Sequence, residues 1–133
     1  MIVIDSSALI AILFDEPERL AFETIIAGEE HCLISALNGH EMACVMRAKH
    51  CPAGVARLWR LLEASQIEVV TFDETQMRAA AAAFDRYGKG IDAKARLNLA
   101  DCAAYALATS LNAPLLFKGN DFAATDVVAA VGV

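Results

Sequence analysis

Positive charge is in short supply in this chain: 11 lysines and arginines stand against 17 aspartates and glutamates, a formal charge of −6. A protein that coats nucleic acid non-specifically needs the reverse balance, so that class is excluded. An enzyme acting on nucleic acid through bound metal is not, because the ion brings its own local charge. Cysteine is scarce and unpatterned. Cys32, Cys44, Cys51 and Cys102 form no CxxC pair, and His31, His40 and His50 add no zinc-ligand spacing, so reduced packing cysteines are expected. No uncharged apolar run approaches the ~20 residues of a membrane-spanning helix. Met1 leads directly into a strand-like run that Asp5 interrupts, which leaves no signal-peptide core, and a cytoplasmic location with no membrane partner is expected. Repeats, low-complexity tracts, interdomain linkers and a serine or cysteine triad are also missing.

What is present is apolar. Hydrophobic residues make up 57% of the 133 and charged residues 21%, a balance that excludes disorder and can bury a core without disulfides or structural metal. A single domain over residues 1–133 is expected. There are 27 alanines, so helices packed closely on small side chains are expected too.

Met1–Asp5 is β-branched without alternation, as in a strand buried on both faces. Ser6 or Ser7 can cap a helix through Ala8–Phe14. A second helix is predicted from Pro17 to the stop at Gly28, followed by a strand at His31–Ser35. A helix from Ala36 to His50 then carries Glu41, and Pro52 restarts a separate helix to Ser65 with Val55, Leu58, Trp59, Leu61 and Leu62 on its apolar stripe. Ile67–Thr71 reads as the third strand. Asp73 caps a helix over Glu74–Tyr87 that Gly88 ends. The polar connector Lys89–Arg96 precedes a helix over Leu97–Leu111, then a strand at Pro114–Phe117 and a fifth at Val127–Val131. Strands alternating with helices predict an α/β fold: a mostly parallel central sheet with helices on both faces.

Four acidic residues stand among apolar or small neighbours: Asp5, Glu41, Asp101 and Asp121. Ionised carboxylates beside buried faces are costly unless compensated, and too few cations lie near them in sequence. A shared divalent ion would compensate all four. Ligands of parallel α/β sheets sit beyond the carboxyl ends of the strands, which is where Asp5 and Asp121 fall. Glu41 and Asp101 lie near helix starts, where the helix dipole favours an anion.

Taken singly, each has a plainer reading. Asp5 can be a helix cap, Glu41 a solvated helix residue, and Asp121 a turn residue, whereas Asp101, set among Ala100, Cys102, Ala103 and Ala104, suits solvent poorly. Taken in order, they match a pattern. The opening Val3-Ile-Asp-Ser-Ser-Ala-Leu, the Glu41 helix, Tyr87-Gly-Lys-Gly90, Leu97-Asn-Leu-Ala-Asp-Cys102 and Pro114-Leu-Leu-Phe-Lys-Gly-Asn-Asp-Phe122 with Thr125-Asp-Val127 resemble, almost end to end, a PIN-domain ribonuclease, the VapC-type toxin of a VapBC toxin–antitoxin pair.

That resemblance implies a three-layer α/β/α PIN domain and an endoribonuclease dependent on Mg²⁺ or Mn²⁺, acting on tRNA or another translation RNA. It places Asp5 and Asp101 as direct ligands, Glu41 as a second or water-positioning ligand and Asp121 as an outer one. It further implies a cognate VapB-type antitoxin and a homodimer, for which the helices at 8–14 and 52–65 offer apolar surface. Two positions depart from the pattern. Asn120 replaces an acid in the last motif, which keeps open a degenerate domain that only binds RNA or protein. Gly39 stands where a bulkier residue is expected, and could loosen the first turn of the Glu41 helix.

The chemistry suits the residues. Mg²⁺ prefers carboxylate and water oxygens, and a metal-assisted hydrolysis of phosphodiesters needs no protein nucleophile. Ser6, Ser7 and Asn120 are candidates to orient the ligands, with helix capping as the equal alternative for the serines. Arg86, Lys89, Lys94 and Arg96 with Tyr87, and Lys118 beside the acidic set, are candidates for RNA approach. Arg57 and Arg60 read as helix-surface charges. A haloacid-dehalogenase-like hydrolase also begins strand–Asp but needs a second aspartate where this chain has Ser7.

Overall fold

Ile2-Val-Ile is β-branched and wholly apolar, so it favours a strand with both faces covered. It forms β1 (Ile2–Ile4), buried throughout. The computed structural model describes residues 1–130, the side chains of His50 and Cys51 excepted. It continues with α1 (Ser6–Leu13), α2 (Arg19–Ala27), β2 (Cys32–Ser35), α3 (Ala36–Ala64), β3 (Ile67–Val70), α4 (Glu74–Tyr87), α5 (Leu99–Ser110) and β4 (Leu115–Leu116). The strands pair in parallel in the order β3–β2–β1–β4, with Val3 opposite both Leu33 and Leu115.

The period-2 alternation of the strands splits the core in two. Ile2, Ile4, Ile34 and Leu116 pack with Leu9, Phe22, Met42, Met46, Leu58 and Leu62 from α1, α2 and α3. Val3, Leu33 and Leu115 pack on the other side with Ala80, Ala83, Cys102, Tyr105 and Leu107 from α4 and α5. This is the expected three-layer α/β/α arrangement. Ala103, Ala104, Ala106 and Ala108 are buried in α5, the packing on small side chains that the composition predicts.

Several boundaries differ from expectation. Pro52 does not start a new helix: α3 runs unbroken from Ala36 to Ala64 with the proline inside it. Proline in a helix interior forfeits one hydrogen bond and costs about 3 kcal/mol. Here both halves bury apolar residues in the same core, Met42 and Met46 before it, Leu58 and Leu62 after it, and that burial outweighs the local cost. The cap of α1 is Asp5, the plainer of the two readings of that residue, and not Ser6 or Ser7. α2 begins at Arg19, after Pro17, and α5 begins at Leu99 because Leu97 is held in a bridge to Gly88. The expected fifth strand is reduced to a parallel bridge between Ala129 and Leu115; Val131 lies outside the described residues.

Gly39 does not loosen α3, which is continuous through it. Arg57 is more than a surface charge, since its guanidinium donates to the Leu13 carbonyl at 2.8 Å and fastens α3 to the end of α1. The apolar surface expected on residues 8–14 is largely consumed by the core, where Ala8, Leu9, Ala11, Ile12 and Leu13 are buried. In the 52–65 half of α3, Trp59 remains 47% exposed. Cys32 and Cys102 are free and buried and Cys44 is free and exposed; Cys51 lies outside the described side chains. No helix among the described residues is long and apolar enough to cross a membrane.

Candidate active site

Asp5 follows directly from β1. It takes an extended conformation that ends the strand and caps α1, its Oδ2 accepting from the Ser7 N–H at 3.0 Å and the Ser7 hydroxyl at 2.6 Å. The Ser7 oxygen in turn accepts the Lys118 N–H at 3.0 Å, which ties the loop after β4 to the start of α1. Asp5 is only 3% exposed, and its other oxygen, Oδ1, is buried without a hydrogen-bond partner. Burial pushes this carboxyl up to about 7; the Ser7 bonds oppose the shift, and the charges of Asp101 and Glu41 add to it.

Asp101 is the N3 residue of α5. Its Oδ2 accepts the Asn98 N–H at 3.0 Å while the Asn98 side chain accepts the Asp101 N–H at 2.8 Å, a reciprocal capping box. Partial burial raises its carboxyl above the ordinary range, the Asn98 N–H opposes this, and Asp121 and Glu41 push it further up. Glu41 is half-buried near the start of α3, which Ser35 caps through the Leu37 N–H at 3.3 Å. Asp121 is exposed and precedes a short 3-10 turn, Phe122–Ala124, making no side-chain cap bond.

The four carboxylates therefore share one electrostatic neighbourhood. Asp5 feels Asp101 and Glu41, while Asp101 feels Glu41 and Asp121. No three His, Cys, Asp or Glu groups among the described residues are drawn together tightly enough to enclose an ion. The donor set nonetheless fits a hard cation. Asp5 and Asp101 each commit one oxygen to the protein and keep the other free of hydrogen bonds, and a buried carboxylate oxygen without a donor calls for a cation.

Asn38 escaped the sequence reading. It is fully buried, and its amide donates to the Ser6 hydroxyl at 3.1 Å and to the Ala100 carbonyl at 3.0 Å. One side chain thus joins the starts of α1, α3 and α5. No local pattern announces it, since its burial comes from contacts 32 and 62 residues away. Asn98, which the sequence places inside a helix starting at Leu97, is instead the N-cap, and here a local signal existed: an Asn three residues before an Asp, ahead of an apolar run, is a capping signature. Ser6 serves through Asn38, and Ser7 touches Asp5 directly. Asn120 is exposed, its backbone carbonyl accepting the Ala123 N–H at 3.1 Å.

Two RNA-approach candidates have acidic partners instead. Lys118 Nζ lies 3.0 Å from both Glu16 and Glu18. Arg86 stands 3.7 Å from Asp126, donates to the Tyr87 hydroxyl at 2.8 Å and covers the Tyr87 ring. Tyr87 also packs edge-on against Tyr105, whose hydroxyl donates to Asp126, so its ring is not presented for stacking. Lys89, Lys94 and Arg96 remain exposed. His40 is exposed.

A parallel α/β/α domain with carboxylates near the carboxyl edge of its sheet also describes the proteins that this chain is similar to. The PIN domain pattern matches residues 2–128. The VapC ribonuclease Mb0640 of Mycobacterium bovis is 40% identical over 125 residues, 94% of this chain and 95% of that protein. The Mycobacterium tuberculosis toxin VapC20, described as cleaving the sarcin–ricin loop, superposes with a TM-score of 0.80 at 12% identity over 99% of this chain and 100% of that one. A toxin–antitoxin complex from Klebsiella pneumoniae contains a chain with a TM-score of 0.71 at 18% identity, covering 100% of both. The chain belongs to the PIN-domain family, among its VapC ribonucleases.

Proposed function

We propose that this protein is the toxic endoribonuclease of a type II toxin–antitoxin system, hydrolysing phosphodiester bonds in tRNA or another translation RNA with Mg²⁺ or Mn²⁺ at Asp5, Asp101, Glu41 and Asp121. The observation that carries the reading is the unpartnered, buried Oδ1 of Asp5 within reach of two further carboxylate charges. When bound, the ion would supply an activated water and neutralise the phosphate oxygens. Asp5 and Asp101 would hold it through the oxygens that Ser7 and Asn98 leave free. Glu41 and Asp121, one half-buried and the other exposed, have freedom to close on it from α3 and from the loop after β4. Ser7 keeps Asp5 oriented, and Asn38 keeps the three helix starts in register.

The similarity to VapC ribonucleases supports the substrate class. A VapB-type antitoxin as partner and the cytoplasm as the setting belong to the same proposal; a structural neighbour is described as a toxin–antitoxin complex. The rival reading, a degenerate domain that only binds, draws on Asn120, which adds no charge beside the exposed Asp121. RNA cleavage by purified protein distinguishes the two. We expect cleavage with Mg²⁺ or Mn²⁺, none in excess EDTA, none from Asp5→Asn or Asp101→Asn, and slowed cleavage from Asp121→Ala. Undiminished cleavage in EDTA would remove the metal mechanism, and a wild type that cleaves no cellular RNA would leave the binding module.

A further inference from the structure

Three of the chain's basic residues stand together without an acidic partner. Lys89, Lys94 and Arg96 are exposed on the connector between α4 and α5 and make no ion pair among the described residues, whereas Arg86 and Lys118 are already paired with acids. The connector is braced. Lys89 N–H donates to the Leu97 carbonyl at 2.8 Å, Leu97 N–H to the Tyr87 carbonyl at 2.9 Å, and both Ile91 and Asp92 N–H groups to the Gly88 carbonyl at 2.9 Å. Ala95 and Leu97 are fully buried between the exposed Lys94, Arg96 and Asn98, so the backbone is anchored while the cations project.

Arg96 also holds a left-handed φ of 53° and Gly90 one of 92°. For arginine that conformation is strained, and such strain persists where the surroundings impose it. The loop borders a cavity of about 550 Å³ lined by Lys89, Gly90, Ile91, Asp92, Ala93 and Arg96. Its one acidic lining residue, Asp92, accepts the Lys94 N–H at 2.9 Å, and Ile91 is 63% exposed at the rim. Two residues beyond Arg96 lies Asn98, which is locked to Asp101.

We infer that this loop is a binding site for the RNA phosphate backbone: Lys89, Lys94 and Arg96 grip phosphates flanking the scissile bond, and Ile91 meets a base face. The inference rests on the ribonuclease reading. In a chain of net charge −6, a braced cationic loop joined directly to the Asp101 helix draws the polyanion to the one acidic edge that would otherwise repel it. Because phosphate contacts are blind to sequence, the test needs no knowledge of the natural target.

A fluorescein-labelled single-stranded RNA of mixed sequence is titrated with the full chain in EDTA, so that anisotropy reads binding alone, across a potassium chloride series. The variants are Lys89→Gln/Lys94→Gln, which leaves the strained position untouched, and the triple variant adding Arg96→Asn, a residue that tolerates positive φ. The triple variant should bind about tenfold or more weakly, and its log–log salt slope should be shallower by about 2. The double variant should fall between it and the wild type, with circular dichroism and Mn²⁺ binding unchanged. Wild-type affinity and slope in both variants, with the wild type still cleaving RNA in Mg²⁺, would overturn the loop assignment and leave the ribonuclease reading standing. Unchanged RNA binding with weakened antitoxin binding would likewise overturn it, in favour of a protein-docking surface. A wild type that neither binds nor cleaves RNA would overturn both.

Discussion

Asp5 serves two demands with one carboxylate. Its Oδ2 ends β1 and starts α1 through Ser7, a local task that any capping aspartate performs, while its Oδ1 is left buried and unanswered. The cap stabilises the fold and the orphan oxygen opposes it. The pH dependence gives the sign. With a carboxyl raised from 3.8 to about 7 in the folded protein, the unfolded chain loses its proton first as pH rises, so Asp5's contribution to metal-free stability is full below about pH 4, is lost as the pH climbs to about 7, and changes no further above that. Asp101, raised in the same direction, steepens the fall. Asp5→Asn removes Asp5's contribution and keeps an oxygen for Ser7. Its melting temperature in EDTA should exceed that of the wild type by several degrees at pH 8, each kcal/mol being worth roughly 4 °C, and by much less at pH 5. Melting curves across that range check it; a variant less stable than wild type at both pH values would show that the cap outweighs the burial cost.

At the scale of elements, the starts of α1, α3 and α5 converge on the carboxyl edge of the sheet, and Asn38 joins them. This explains how Asp5, Glu41 and Asp101, far apart in sequence, reach one neighbourhood. Asn38→Ala would leave the buried Ala100 carbonyl without this donor and open a small void, and should cost about 1–3 kcal/mol. Urea denaturation should show the midpoint falling at constant slope, and a midpoint equal to wild type would remove Asn38 from the framework. α3 makes a different point about elements. Its proline breaks the local rule, yet the core contacts on either side of Pro52 keep the helix whole. Gly39, another departure from local preference, lies where an added Cβ would meet nothing within 4 Å, so no steric contact in the fold requires glycine there.

At the scale of the whole molecule, an acidic chain carries an acidic edge, and a cation bound there should stabilise everything that converges on it. Ligand bound only by the folded state at about 100 times its dissociation constant adds roughly 2.7 kcal/mol. Mn²⁺ or Mg²⁺ should therefore raise the wild-type unfolding midpoint, more at pH 8 than at pH 5 because protonated carboxyls bind cations poorly. Asp5→Asn and Asp101→Asn should respond little. Equal shifts in wild type and both variants would place the ion elsewhere.

The sequence by itself determined a parallel sheet with helices on both faces, the strands at β1, β2 and β3, α4 with its Asp73 cap, and it picked out Asp5 and Asp101, the two carboxylates that burial perturbs. Each is written in short-range pattern: β-branched runs, caps three residues from their partners, charges among alanines. Tertiary structure decided the rest. Pro52 stays inside a helix because distant apolar partners hold both halves. The segment after the 3-10 turn makes only a bridge to Leu115 instead of a strand. Lys118 and Arg86 turn to Glu16, Glu18 and Asp126 because the fold sets those acids beside them, leaving the Lys89–Arg96 loop as the cationic approach. Nothing in the residues around Asn38 marks it out; only the meeting of three helices gives its amide two acceptors. Hydrogen bonds and charges act over a few ångströms, and which groups come that close is settled by packing, not by neighbourhood along the chain.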